Sequence, residues 1–331
     1  MANLIKRRAI IAVAATAPAW PALAQGKTGS AVYPVAVPSY EVQFVAMDKG
    51  YFKDEGFDFK LIQGGSGVKT REILASRQGD FAMADIIHVL QLNKNGRPTK
   101  ALITTDQRAP GVRFAIRKDL FDQGIDTVQK AAEWKRPDGK RAIFGVSSLG
   151  GTSHLWSHYF TEKLGLADKV TWVGVGNVDT MLGSLKTKQI DALVFAAASG
   201  YVAEEAKEWR VLQTMGSVAP DFITHVLFAT DKLLKTNPDA AGRFLKGWFE
   251  TIEWMKANKQ KTVEVSAKVL NLEPSVMGRT FDAEIGMFST DGVFDPKAMA
   301  VLKKSFIDMQ ILEKEPKEAE LIDTRFLPVK R

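Results

Sequence analysis

The sequence predicts an α/β protein of two lobes, each a mixed, mostly parallel sheet flanked by helices, with extra C-terminal helices added to the first lobe. Three observations carry this. Strand-like apolar runs alternate with amphipathic helices through most of the chain, which is the pattern of parallel α/β layers. Two stretches also superpose without gaps, because a shift of 111 positions carries Gly65 to Gly176, Ser66 to Asn177, Leu74 to Leu185, Gln78 to Gln189 and Asp80 to Asp191. Beyond about residue 222 the alternation gives way to one strand and a run of helices.

In chain order, strands are expected at 32–37, 59–63, 81–84 and 101–105, and a second set at 143–146, 171–175 and 192–196. Nearer the start of each repeat the shift becomes 109, carrying Val37 to Val146 and Gly56 to Gly165, as a two-residue insertion would produce. Val178, Met181, Leu182 and Leu185 recur at i, i+3, i+4 and i+7 behind an Asn177 cap, so one face of that helix is buried. Leu155, Trp156, Tyr159, Phe160 and Leu164 do the same for a helix from near Thr152 to Gly165. After a strand at 224–230, helices at 238–256, 262–270, 274–281 and 296–309 have no repeat partner and are expected to cover the first sheet. The chain then crosses between lobes near 110–117 and near 224–230. The first lobe is expected to hold residues 25–112 with 225–331, and the second 113–224.

Residues 1–24 read differently from the rest. A basic trio, Lys6, Arg7 and Arg8, precedes an apolar run at 9–15, then Pro18, Trp20 and Pro21, and Ala22-Leu23-Ala24 before Gln25. This is the three-part pattern of an export signal cleaved after Ala24; the apolar run is shorter than the roughly 20 residues of a spanning helix. The 331 residues contain no cysteine, which excludes disulfides, thiolate metal sites, a cysteine nucleophile and lipid attachment at cysteine. The expected location is therefore a periplasm, with the mature chain free of the membrane. The formal charge is +7, of which Lys6, Arg7 and Arg8 leave with the signal. The remaining basic residues are interspersed with acidic ones, as at 256–268 and 303–317, and indicate solvated helix faces, not a nucleic-acid surface.

Open α/β sheets bind ligands beyond the carboxyl ends of their strands, and two facing lobes turn that place into a cleft. First-lobe loops bring Ser39, Tyr40, Glu41, Gly65, Ser66, Asp85, Asp106 and Arg108 to it; second-lobe loops bring Ser147, Ser148, Gly151, Thr152, Ser153, His154, Asn177, Phe195 and Ala197. The segment 147–153 offers hydroxyls and glycines just before a helix and carries no charge. Its N–H donors and the positive end of the helix dipole suit an anionic head group, although the same residues also make an ordinary capped turn. Tyr40, Phe195 and Trp156 are flat walls for a carbon skeleton, with core packing the other reading of Trp156. Arg108 is placed to pair with a carboxylate or sulfonate. Glu41, Asp85 and Asp106 face an amino group or, as charged side chains usually do, water. His154 and His158 lie one turn apart, but Leu155 stands where a zinc-protease helix has Glu, so His154 is read as a donor at the cleft mouth. Neither metal nor cofactor is expected.

Three segments, taken in order, carry a family resemblance: Phe44-Val45-Ala46-Met47-Asp48-Lys49-Gly50-Tyr51-Phe52-Lys53-Asp54-Glu55-Gly56, then Ser76-Arg77-Gln78-Gly79-Asp80-Phe81, then Lys188-Gln189-Ile190-Asp191-Ala192. Together they resemble the nitrate, sulfonate and taurine type of solute-binding protein of ABC importers, whose relatives include binders of thiamine pyrimidine precursors. Each segment also has a reading of its own. Gly50-Tyr51-Phe52 ends a helix and packs aromatics into a corner, and the Gln-x-Asp pairs read as turn chemistry between helix and strand.

The resemblance implies a type II periplasmic-binding-protein fold whose lobes close by a hinge on a small solute. It implies delivery, by a monomer, to an inner-membrane ABC permease with its ATPase. A small organic anion of sulfonate or carboxylate type is the expected solute. The alternative is a pyrimidine-like or zwitterionic nitrogen compound, motivated by the three acidic first-lobe residues; a sensory binding protein and a periplasmic enzyme stand behind these. Thiamine pyrimidine synthases share the scaffold but depend on a cysteine-rich motif, so this cysteine-free chain is expected not to be an enzyme.

Overall fold

Ten strands form two five-stranded sheets in the computed structural model, which describes residues 27–34, 36–106, 112–176, 178–195, 208–217, 222–223, 225–308 and 310–329. Numbered in chain order, the first sheet runs β2 (Phe57–Gln63), β1 (Lys27–Tyr33), β3 (Phe81–Ala84), β10 (Val226–Thr230), β4 (Thr99–Thr104). The second runs β7 (Thr171–Gly174), β6 (Ile143–Val146), β8 (Ala192–Phe195), β5 (Arg113–Arg117), β9 (Trp209–Thr214). The two orders correspond strand for strand. In each, one antiparallel strand sits fourth: β10 between β3 and β4, and β5 between β8 and β9. The export signal expected at residues 1–24 lies outside the described residues.

The repeat read from the sequence is a repeat of structure. Helix α3 (Gly67–Ala75) and helix α8 (Val178–Lys186) are 111 positions apart at both ends, as are β3 and β8. Each helix is followed by a residue in the left-handed region, Arg77 at φ 64° and Lys188 at φ 61°, a conformation that is costly for any side chain with a Cβ. The same turn therefore recurs in both lobes. Asp80 and Asp191 also share a task. Asp80 Oδ2 accepts from Ser30 N at 3.1 Å, and Asp191 Oδ2 accepts from Ile143 N at 2.9 Å, each tying the start of one strand to its parallel neighbour.

Three expectations are corrected. The first strand spans Lys27–Tyr33 instead of 32–37; it stops where Pro34 removes a ladder donor, and Gly29 and Ser30, poor strand formers by composition, are held in it by pairing with β2. Residues 113–117, read as a crossing between lobes, are strand β5, and β9 was not expected at all.

Among the described residues the remaining helices are α1 (Glu41–Lys49), α2 (Tyr51–Asp54), α4 (Ile87–Lys94), α5 (Lys118–Asp122), α6 (Val128–Glu133), α7 (Thr152–Lys163), α9 (Asp231–Thr236), α10 (Pro238–Ala257), α11 (Lys259–Leu270), α12 (Pro274–Glu284), α13 (Pro296–Asp308) and α14 (Glu318–Leu321). The long α10 covers the first sheet as expected. Its Phe244 stacks on Phe52, Phe59 and Phe81 at 4.7, 4.8 and 4.4 Å, so the Gly50-Tyr51-Phe52 corner is the seat of that helix. Gly50 makes the corner possible by taking φ 78°. Helix α13 behaves differently. Ala298, Met299, Leu302 and Phe306 belong to an apolar cluster that also holds Phe114, Phe144 and Phe160 of the second lobe. Among the described residues no helix is long and apolar enough to cross a membrane.

Candidate functional site

The carboxyl ends of β1, β3 and β4 deliver three side chains to one place in the first lobe. Tyr40 lies in the 3-10 turn Pro38–Tyr40 after β1, Asp85 directly after β3, and Asp106 two residues after β4. All three are buried. Burial raises the Tyr40 hydroxyl well above its usual range, and the carboxylates of Asp106 and Asp85 push it further in the same direction. Tyr40 is thus a neutral O–H beside two acids. Asp85 Oδ1 accepts from Ile87 N at 2.9 Å, at the start of α4.

Asp106 faces a residue that sequence reasoning missed. His225 immediately precedes β10, the antiparallel neighbour of β4, and pairing of Val226 with Thr104 sets it beside Asp106. Asp106 Oδ2 lies 2.8 Å from His225 Nδ1, and Asp106 Oδ1 accepts from His225 N at 3.3 Å. A carboxylate oxygen accepts, so in this contact Nδ1 of the His225 ring is the donor. Tyr40 approaches the imidazole edge-on at 4.9 Å. Trp156, on α7 of the second lobe, approaches the same ring edge-on at 6.0 Å. Among the described residues, Trp156 Nε1 is a buried donor with no hydrogen-bond partner.

Below this junction His88 on α4 is a second missed histidine. It is buried, and burial, with Arg71 as the next cause, lowers its pKa to about 4, so its imidazole is neutral. Gly67, at the start of α3, makes the necessary room, since a Cβ there would lie 2.5 Å from His88 Nε2. Gly65 takes φ 87°, and Ser66 caps α3 by accepting from Lys69 N at 3.2 Å.

In the second lobe the segment after β6 folds back on the first turn of α7. Ser147 N donates to Ser153 Oγ at 2.9 Å, the two hydroxyls lie 2.6 Å apart, and Gly150 N donates to His154 Nδ1 at 3.0 Å. A Cβ at Gly151 would lie against Ser148 Oγ, so glycine leaves that hydroxyl its present position. Burial, with His158 as the lesser cause, lowers the His154 pKa to about 4. Since Nδ1 accepts, the His154 hydrogen sits at Nε2, and the residue is a neutral donor.

Other expected site residues go elsewhere. Glu41 is fully buried and accepts from Ser266 Oγ of α11 at 2.7 Å, inside the helix layer. Ser39 is buried beside Tyr40 in the same turn. Phe195 packs on Trp209 at 4.4 Å in an apolar cluster under the second sheet. Arg108, Asn177 and Ala197 lie outside the described residues, as does the side chain of Thr152. Among the described residues no group of three or more metal-ligating side chains comes together.

Residues 38–262 match the model of a family described as NMT1/THI5 like. The chain belongs to the NMT1/THI5-like family. The superfamily resemblance read from the sequence is thereby borne out. A curated relative, the 4-amino-5-hydroxymethyl-2-methylpyrimidine phosphate synthase THI5 of Saccharomyces cerevisiae, is 23% identical over 66% of this chain and 64% of its own length. The chain thus spans about two thirds of that enzyme. Among solved structures, the periplasmic aliphatic sulphonate-binding protein of Escherichia coli has a TM-score of 0.72 at 12% identity, covering 89% of this chain and 92% of its own. The periplasmic nitrate-binding protein of Synechocystis PCC 6803 has a TM-score of 0.70 at 15% identity, covering 88% and 86%. The fold is that of the periplasmic binding proteins.

One expectation is overturned by these relatives. The chain was expected not to be an enzyme, yet the curated family members it resembles carry the name of a synthase. The missing cysteines speak to one motif only, and a scaffold hosts catalysis or binding according to its site.

Proposed function

We propose that this NMT1/THI5-like chain captures a small nitrogen-bearing organic solute between its lobes and delivers it to an inner-membrane ABC permease with its ATPase. The observation that carries this is the junction at which Tyr40 of the first lobe and Trp156 of the second meet on one imidazole, beside Asp85 and Asp106. Among the described first-lobe residues the polar groups at this junction include two carboxylates, Asp85 and Asp106, and the His225 ring. A sulfonate or carboxylate placed there meets negative charge, whereas a protonated amine or an amino-heterocycle supplies the N–H donors those groups take up. On the opposite side, Ser147, Ser148, Ser153 and the N–H groups opening α7 suit an acceptor on the same solute. A pyrimidine-like or zwitterionic compound satisfies both halves, and the name of the yeast relative supports the pyrimidine. The originally expected simple organic anion satisfies the second lobe alone.

The lobes in this reading are residues 25–112 with 225–331, and 113–224, and the protein reaches the periplasm by cleavage after Ala24. Thermal unfolding of the mature chain against aminopyrimidines, zwitterionic amino acids, alkanesulfonates and simple carboxylates tests the proposal. A compound binding only the folded state at about 100 times its dissociation constant stabilises by about 2.7 kcal/mol. Aminopyrimidines or zwitterions are expected to raise the melting temperature by several degrees, and alkanesulfonates to leave it in place. The reverse pattern returns the organic anion, and no shift across the panel removes the solute-binding reading. Mass spectrometry of the same mixtures reports any product formed.

A further inference from the structure

We propose that Asp106 and His225 form the bearing on which the two lobes turn, with Asp106 the positioning residue that fixes the His225 ring. Both connections between the lobes pass this point: the chain leaves the first sheet after β4 and returns to it at β10. There the two connections are bound to each other. Besides the two bonds of the Asp106 carboxylate, Thr105 N and Thr105 Oγ1 each donate to His225 O at 3.1 Å, and Thr104 Oγ1 donates to Asp106 O. The tie is anchored in the first lobe, where Ser289 N donates to Thr105 O at 2.9 Å and Asp106 bridges to Phe288.

A corresponding tie exists at the second lobe, where Met215 N donates to Val112 O at 2.7 Å and joins the start of β5 to the end of β9. On the first-lobe side the outermost group is the His225 ring, held by a charge-assisted hydrogen bond to Asp106 and flanked by Tyr40. Among the described residues, Trp156 of the second lobe meets that ring through an edge-on aromatic contact. Aromatic edge contacts tolerate tilting and are weaker than hydrogen bonds to an ionised group. The ring therefore stays with the first lobe while Trp156 rocks against it. Burial of the pair, with Asp106 1% and His225 5% exposed, keeps water from replacing the bonds that fix the ring.

The bearing does not depend on which solute is bound, so it is tested without one. The absence of native cysteine allows spin labels at Lys53→Cys and Lys140→Cys, exposed positions on the first and second lobes, and double electron–electron resonance then reads the inter-lobe distance. Asp106→Asn keeps the shape but accepts at only one of its two positions. The paired replacement Asp106→Leu with His225→Phe keeps apolar volume and deletes the pair, guarding against a misfolded single variant. Both are expected to at least double the width of the distance distribution. A distribution of unchanged mean and width in the folded variants, whatever happens to their melting temperatures, overturns the proposal and leaves the pair a purely local support.

Discussion

Glu41 and Tyr40 are neighbours in sequence with opposite fates. The 3-10 turn sends Tyr40 to the lobe junction and Glu41 into the helix layer, where the carboxyl has Ser266 as a partner and its Oε1 has none among the described residues. Burial raises the Glu41 pKa to about 8, against the lowering effect of the Ser266 bond. A carboxyl whose folded pKa exceeds its unfolded value binds a proton more tightly in the native state. Its contribution to stability is therefore full below about pH 4.5 and lost as pH rises through about 8. Within that window the slope approaches about 1.4 kcal/mol per pH unit for one proton. Glu41→Gln, which keeps an acceptor for Ser266 and cannot ionise, is expected to flatten melting temperature between pH 5 and 8; an unchanged slope contradicts a protonated Glu41. The loop that carries both residues was legible in the sequence, but side-chain direction was not, because it depends on which φ/ψ the turn after Pro38 adopts. His225 was illegible for another reason: it becomes a site residue only when β10 pairs with β4, 121 positions away at its Thr104 contact.

At the scale of elements, the repeat was the most legible feature, because helix and strand periods and turn residues are local properties. Strands β5 and β9 were not, because β5 lies inside the second sheet only through antiparallel pairing with β8 and β9, and their short runs carry no turn signal of their own. The equivalent aspartates show how one element junction diverges. Asp80 holds Ser30 N and Oγ, whereas Asp191 holds Ile143 N and also Arg117 and Arg136, each guanidinium at 2.9 Å. Asp191 is 1% exposed and Arg117 8%. Removing one member of a buried ionic group leaves the others uncompensated and costs about 3–5 kcal/mol, whereas losing a neutral hydrogen bond costs about 1 kcal/mol. Asp191→Asn is thus expected to destabilise by about 3 kcal/mol in urea unfolding and Asp80→Asn by about 1 kcal/mol. Equal effects would mean that the arginines contribute nothing beyond the shared strand tie.

For the whole molecule, two sheets and the proposed hinge suggest two folding units, but the apolar packing argues against independence. One cluster holds Val32 and Leu74 of the first lobe together with Phe222, Phe114, Phe144 and Phe160, and α13 adds Leu302 and Phe306 to it. The same helix makes a charged link, Lys304 Nζ to Glu162 Oε1 at 3.2 Å, with Lys304 61% exposed on its side chain. Magnitudes decide between them. An exposed ion pair contributes at most about 1 kcal/mol, whereas deleting a buried phenylalanine ring costs about 3–5 kcal/mol. The cluster, not the ion pair, therefore couples the lobes. Calorimetry of the mature chain is expected to show a single transition whose calorimetric and van't Hoff enthalpies agree. Phe306→Ala is expected to lower its midpoint by several degrees or split it in two, and Lys304→Ala to leave it unchanged. Two resolved transitions in the parent chain would show that the lobes unfold separately and that the shared cluster is only a contact.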